Sequence, residues 1–170
     1  CYLGGTYLII GILGMMAVLI GLDQLFKYWA VIYLQPIGTV PLVSGKFHLT
    51  YVENFGAAGG ILQGKQIFLI LVTSVVLTGL LILLLLKKIP GRFLPWMVGV
   101  VAAGGIGNLI DRIFRGFVVD YLDFCWIHYP VFNFADCCVV VGIFVIAGYV
   151  FWNEKKQGKV EIQPPKGKEK

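Results

Sequence analysis

Four long runs of apolar residues, each broken off where polar residues return, organise the chain. The first extends from about Thr6 to Tyr28 and carries no charge before Asp23. The second, Gln66 to Leu86, is uncharged and stops at Lys87-Lys88. The third stays uncharged from Phe93 to Ile110 and then meets Asp111-Arg112, and the fourth covers Phe132 to Trp152 with Asp136 near its start. A helix needs roughly 20 residues to cross a hydrocarbon core of about 30 Å. Backbone groups in lipid must be satisfied within the segment, so each run predicts a transmembrane helix. The fold class expected is an all-α membrane protein of four transmembrane helices.

The segments between the runs are not featureless. In Lys46-Phe47-His48-Leu49-Thr50-Tyr51-Val52-Glu53, β-branched and aromatic residues alternate with polar ones, the pattern of a half-buried strand. Gly56, Gly59 and Gly60 then break any regular element. A connection as long as 35–65 is more often functional than idle. The Lys-, Pro- and Gly-rich tail, 157–170, is expected to be disordered. The membrane domain is therefore placed at 1–156, with no internal repeat. Its first run lacks a basic lead-in and a cleavage site, so it reads as a retained helix and not a signal peptide.

Composition agrees and adds an orientation. Hydrophobic residues make up 58% of the chain and charged residues only 14%, against roughly a quarter charged in soluble domains. The net charge of +5 is concentrated in Lys87, Lys88 and Arg92 and in the tail (Lys155, Lys156, Lys159, Lys166, Lys168, Lys170). That distribution is a topology signal and not a nucleic-acid surface. It places both termini in the cytoplasm and both long loops outside. The four cysteines, Cys1, Cys125, Cys137 and Cys138, have neither CxxC spacing nor the layout of a disulfide framework, so no metal or redox site is expected from them.

With that orientation the costly polar residues share one level, the outer end of the spans. Asp23 and Lys27 end the first run, while Asn108, Asp111, Arg112 and Arg115 end the third. Asn133 and Asp136 open the fourth, and Asn54 and Asp120 lie in adjoining loops. Each cluster also has a structural reading. Asp23 and Lys27, four apart, can neutralise one another on a helix, and Asn108, Asp111, Arg112 and Arg115 can form a packed polar seam on one helix face. Ala103, Gly104, Gly105 and Gly107 suit close helix packing. Asn133 and Asp136 have the spacing of a helix cap and first-turn acid, and Asp120 can be a solvated loop acid.

The polar inventory excludes several chemistries. Ser44 and Ser74 are the only serines, and Ser74 sits mid-span, far in depth from His48 and His128, which argues against a Ser-His triad. There is no HExxH helix and no Gly-rich phosphate loop. The hydrolytic arrangement that remains is two carboxylates activating a water. Two carboxyls about 3 Å apart share one proton. The ionised member takes a proton from water, and the protonated one polarises the scissile carbonyl and helps the amine leave. A helix N-terminus favours negative charge, which suits Asp136 to the ionised role.

Four motifs in order resemble the lipoprotein signal peptidases (type II signal peptidases) of bacteria. They are Asp23-Gln24-Leu25-Phe26-Lys27; Asn54-Phe55-Gly56-Ala57-Ala58; Gly104 to Arg112 continuing through Gly116 to Val119-Asp120-Tyr121; and Pro130-Val131-Phe132-Asn133-Phe134-Ala135-Asp136. The resemblance implies a small strand-rich cap on the outer side of the four helices. It also implies an aspartyl endopeptidase that removes signal peptides from diacylglyceryl-modified prolipoproteins, cutting before the lipidated cysteine at the outer face of the bacterial inner membrane. By motif, Asp120 and Asp136 are the catalytic pair. Asn54, Gly56, Asn108, Arg112, Asn133 and Ala135 match substrate-holding or supporting positions, as do Asp23 and Lys27. The resemblance implies no metal, and cyclic peptide antibiotics such as globomycin as inhibitors; no cofactor is expected, membrane lipids are the expected neighbours, and a monomer is expected. Gly59 departs from the pattern, since the family usually has a bulky aromatic there, and a looser covering loop is expected. The alternative is a small non-enzymatic transporter or assembly factor with a polar cavity. That reading calls for polar residues near the midplane, where this chain is apolar.

Overall fold

The computed structural model describes residues 2–127 and 129–161; Cys1, His128 and 162–170 lie outside the described residues. Four helices dominate: α1 (Tyr2–Trp29), α2 (Gln66–Leu85), α3 (Phe93–Phe114) and α4 (Phe134–Glu161). All four are long and apolar enough to cross a membrane. α4 runs to Glu161, so five residues expected in the disordered tail have helical backbone. α3 is central and packs against the other three. Its small residues allow this: Gly104 faces Ala135 and Cys138 of α4, Gly105 faces Leu77 of α2, and Gly107 faces Asp23 of α1. Close approach of backbones at small residues is how membrane helices gain packing energy without a hydrophobic driving force. Pro95 sits in the first turn of α3, where its missing N–H costs no intrahelical bond.

α1 does not stop cleanly. It passes into a π-helical turn, Ala30–Leu34, in which the Gln35 amide donates to the Ala30 carbonyl. Pro36 follows and cannot continue the helix. The chain then forms β1 (Thr39–Val43) and β2 (Phe47–Asn54), joined through Gly45 at φ +67°. Pro41 is tolerated because β1 is an edge strand. The sequence pattern anticipates β2. It does not anticipate β1, nor β3 (Val118–Asp123), which completes an antiparallel sheet in the order β1-β2-β3.

β3 anchors the sheet to the helices. Val118, Val119, Asp120 and Tyr121 are all buried. The Val119 amide donates to the Asp111 carboxylate of α3 at 3.0 Å, tying the strand to the helix that precedes it. On the far side of β3, Leu122 and Phe132 exchange backbone hydrogen bonds. This bridge fixes the entry into α4 one residue before Asn133. Sheet, α3 end and α4 start are thus held at the same end of the bundle.

Candidate active site

Asn133 and Asp136 begin α4 as a reciprocal cap. The Asp136 amide donates to Asn133 Oδ1 at 2.9 Å, and the Asn133 amide donates to Asp136 Oδ2 at 3.1 Å. Two orphan donors at a helix start are satisfied this way. The capping reading of the sequence therefore holds, but it does not exhaust the residues. Asn133 Nδ2 also donates to Asp120 Oδ1 at 2.7 Å and to Asn108 Oδ1 at 3.1 Å. Asn108 Nδ2 in turn donates to Asp136 Oδ1 at 2.8 Å. One fully buried amide side chain thus links both aspartates, and a second one braces it.

Asp120 is held from its other side by β2. Asn54 Nδ2 donates to Asp120 Oδ2 at 2.9 Å. Asn54 Oδ1 accepts the Gly56 amide, closing the turn that leaves β2. A Cβ on Gly56 would meet the Ile61 carbonyl at 2.6 Å, so only glycine fits that turn. The Gly56 carbonyl accepts Arg112 Nη2 at 3.0 Å. Gly59 has φ +67° and lines the same cavity, with Pro130 opposite. The turn that positions Asn54 is thereby pinned to α3.

Asp120 is buried (1% exposed) yet accepts only neutral amide donors. Burial first, and the nearby charge of Asp136 second, push its carboxyl up to about 7. A carboxyl of this kind still carries its proton in much of the population near neutral pH, where an ordinary aspartate has lost it. Asp120 and Asp136 line one cavity of about 360 Å³ with Asn54, Asn108, Arg112 and Gly59. Among the described residues, buried Arg112 Nε has no hydrogen-bond partner, leaving a donor unused at that wall. A second, apolar cavity of about 290 Å³ adjoins it and shares Asp136, Tyr129, Phe132 and Val140. A larger cavity of about 440 Å³ lies beside Phe26, Tyr33 and Leu49 and includes neither aspartate.

Asp23 and Lys27 stand one step behind. Lys27 Nζ, fully buried, lies 2.9 Å from Asp23 and 3.3 Å from Asp111, and donates to Asn108 Oδ1 at 2.9 Å. Asp111 also meets Arg115 Nε at 3.4 Å. Two carboxylates therefore face two cations, and the cluster is neutral as a unit. Asp23 Oδ1 accepts the Ala135 amide at 3.1 Å, bracing the first turn of α4. Gln24 adds bonds to Gly107, Asp23 and Asp111. Asp111 and Gln24 were absent from the expected site residues. Asp111 had a signal, since it lies on the same helix stripe as Asn108; Gln24 had only its place next to Asp23. The only group of three His, Cys or acidic side chains placed to share a metal among the described residues is His48, Asp123 and Cys125, at the other end of β2 and β3.

The comparisons with known proteins point the same way as this geometry. The family profile described as "Signal peptidase (SPase) II" matches residues 15–152. The chain belongs to the signal peptidase II family. It is 44% identical over 142 residues to a lipoprotein signal peptidase of Brevibacillus brevis, covering 82% of this chain and 94% of that one. It is 47% identical over 140 residues to a lipoprotein signal peptidase of Clostridioides difficile, covering 81% and 93%. A bacterial membrane enzyme solved by the in meso method at 2.3 Å superposes with a TM-score of 0.79 at 25% identity, covering 94% of each chain. The stretch matched to this family of membrane aspartic peptidases takes in α2, α3, the sheet and parts of α1 and α4.

Proposed function

We propose that this signal peptidase II cleaves diacylglyceryl-modified prolipoproteins just before the lipidated cysteine, with Asp120 and Asp136 as its catalytic pair. The observation that carries the proposal is that Asn133 holds both carboxyls at one cavity wall, Asp120 through its side-chain amide and Asp136 through its main-chain N–H. Asp136, at a helix N-terminus, serves as the ionised member and takes a proton from the attacking water. Asp120, buried and raised, serves as the acid: it donates its proton to the carbonyl oxygen as the tetrahedral adduct forms and regains it as the adduct collapses, while Asp136 passes the proton taken from water to the departing amine. Arg112, with an unused donor on the cavity wall, orients the substrate backbone. The apolar cavity beside Asp136 suits the acyl chains of the modified cysteine. A cyclic peptide inhibitor such as globomycin would compete for the same polar cavity. The charge asymmetry supports the reading that this end of the bundle faces outward at the inner membrane, with both termini in the cytoplasm.

The test is cleavage of a purified diacylglyceryl prolipoprotein by wild type, Asp120→Asn and Asp136→Asn. Each carboxylate accepts an N–H on both oxygens, so an Asn replacement turns one acceptor into a donor. Folding must therefore be checked by thermal unfolding and by binding of uncleaved substrate. Variants that bind substrate but cleave roughly 10²–10⁴-fold more slowly support the pair. A folded variant with near-wild-type turnover removes that aspartate from the chemistry.

A further inference from the structure

The far end of the β2–β3 ladder carries a second group of chemically capable side chains. His48 and Asp123 are cross-strand partners in the register, and Cys125 follows two residues on, in a one-turn 3₁₀ helix, Cys125–Ile127. One imidazole nitrogen, one carboxylate oxygen and the thiol sulfur lie within 4.8 Å of one another. Thr50 Oγ1 donates to Asp123 Oδ2 at 2.8 Å, which orients the carboxylate. The Cys125 thiol makes a long contact of 3.8 Å to the Asp123 carbonyl, and backbone N–H groups of His48 and Cys125 also face it. His48 Nε2 is shielded from solvent and, among the described residues, has no hydrogen-bond partner. A buried imidazole nitrogen without a partner is costly unless something fills its lone pair or takes its proton.

We propose that His48, Asp123 and Cys125 form a binding site for a divalent cation of the zinc class. Sulfur, nitrogen and oxygen donors together select a borderline cation over a hard one such as Ca²⁺ or Mg²⁺. Zinc sites are tetrahedral, and three protein donors leave the fourth position to water. Binding converts the thiol to a thiolate and releases one proton to solvent, with no change of oxidation state. The cation would staple β2 to β3 and to the turn after β3. Those same strands hold Asn54 and Asp120 at their other end, where Val52 pairs with Asp120. The site is separate from the aspartate pair, so it binds whether or not the proposed catalytic roles are right.

The experiment uses the full chain in detergent, stripped of metal, and compares wild type, Cys125→Ser and His48→Gln. Zinc binding is read by competition with a chromophoric chelator, and Co²⁺ as a spectroscopic substitute. Wild type should bind one equivalent, give a thiolate-to-cobalt charge-transfer band, and unfold at higher temperature with Zn²⁺ than without. Both variants should bind at least about tenfold more weakly, a loss of about 1.4 kcal/mol, and Cys125→Ser should lose the band although Cys137 and Cys138 remain. As a measurement that needs no activity, Zn²⁺ should slow alkylation of Cys125 in wild type and not in His48→Gln. Zinc uptake by Cys125→Ser equal to wild type, or no uptake by folded wild type, overturns the proposal; so does equal binding of Ca²⁺.

Discussion

At the scale of single residues, the site is a set of hydrogen-bond directions with few spare groups. Asp120 illustrates the consequence for pH. Its carboxyl is raised from an ordinary 3.8 to about 7 by burial and by the charge of Asp136. Between those two values the folded chain holds a proton that the unfolded chain has released. Its contribution to stability therefore declines as pH rises through that window and is level above it. The proposed mechanism uses the same proton, so kcat/KM should fall on the alkaline side with an apparent pKa near 7 that belongs to the pair. Asp120→Asn should remove that slope from the thermal midpoint between pH 4 and 7; an unchanged slope would assign the titration to another group. Lys27 is a different case, because it reacts with nothing and faces two buried carboxylates and Asn108. Lys27→Met should cost roughly 3–5 kcal/mol, as breaking a buried pair does. Adding Asp23→Asn should restore part of that loss in denaturant or thermal unfolding. No restoration would mean that Lys27 matters through packing and not through charge. The sequence placed Asp23 opposite Lys27, but the third member, Asp111, is 84 residues from Lys27 along the chain. Pairing over that distance leaves no local pattern to read.

At the scale of elements, the four helices were legible because each needs about 20 apolar residues, a signal no other element of this chain imitates. β2 was legible because its two faces differ. β3 was not, because Val118, Val119, Asp120 and Tyr121 are buried on both faces and show no alternation. The π-helical turn after α1 was equally silent, since Ala30-Val31-Ile32-Tyr33-Leu34 simply prolongs an apolar run. The glycines of α3 could be seen, but their separate partners could not. A Cβ on Gly104 would meet the Ala135 carbonyl and Cys138, at the start of the helix that carries Asp136, whereas a Cβ on Gly14 of α1 would meet nothing within 4 Å beyond its own turn of helix. Gly104→Ala should push α4 away from α3, destabilise the protein by about 1–3 kcal/mol, and lower cleavage more than it lowers stability. Gly14→Ala should stay within about 1 kcal/mol of wild type and tend to stabilise, since alanine is the better helix former. Thermal unfolding and turnover measured on both variants decide this. Equal behaviour would show that the α3–α4 contact is softer than its geometry.

At the scale of the whole molecule, one structural choice explains most of the layout: polar groups sit at one end of an apolar bundle. Away from that end the helices expose residues such as Val75, Phe144 and Phe151, which suits lipid. Because the sheet packs only on the site end, Asn54 and Asp120 can be supplied by strands without any irregular backbone entering the hydrocarbon region. A lipid-anchored cysteine would reach such a site from the side, near the membrane surface, which gives the position of the aspartates a purpose that a midplane cavity would not have. The proposed orientation rests on the charge distribution, with Lys87, Lys88 and Arg92 at the opposite end from the sheet. Ser44 lies exposed in the β1–β2 turn and Lys88 exposed after α2, so the two report on opposite ends. In intact cells, a membrane-impermeant maleimide should label Ser44→Cys above the background of the parent protein. It should label Lys88→Cys only after the membrane is opened. Labelling of Lys88→Cys in sealed cells would invert the bundle, place the aspartates on the cytoplasmic side, and separate them from any substrate already lipidated and exported.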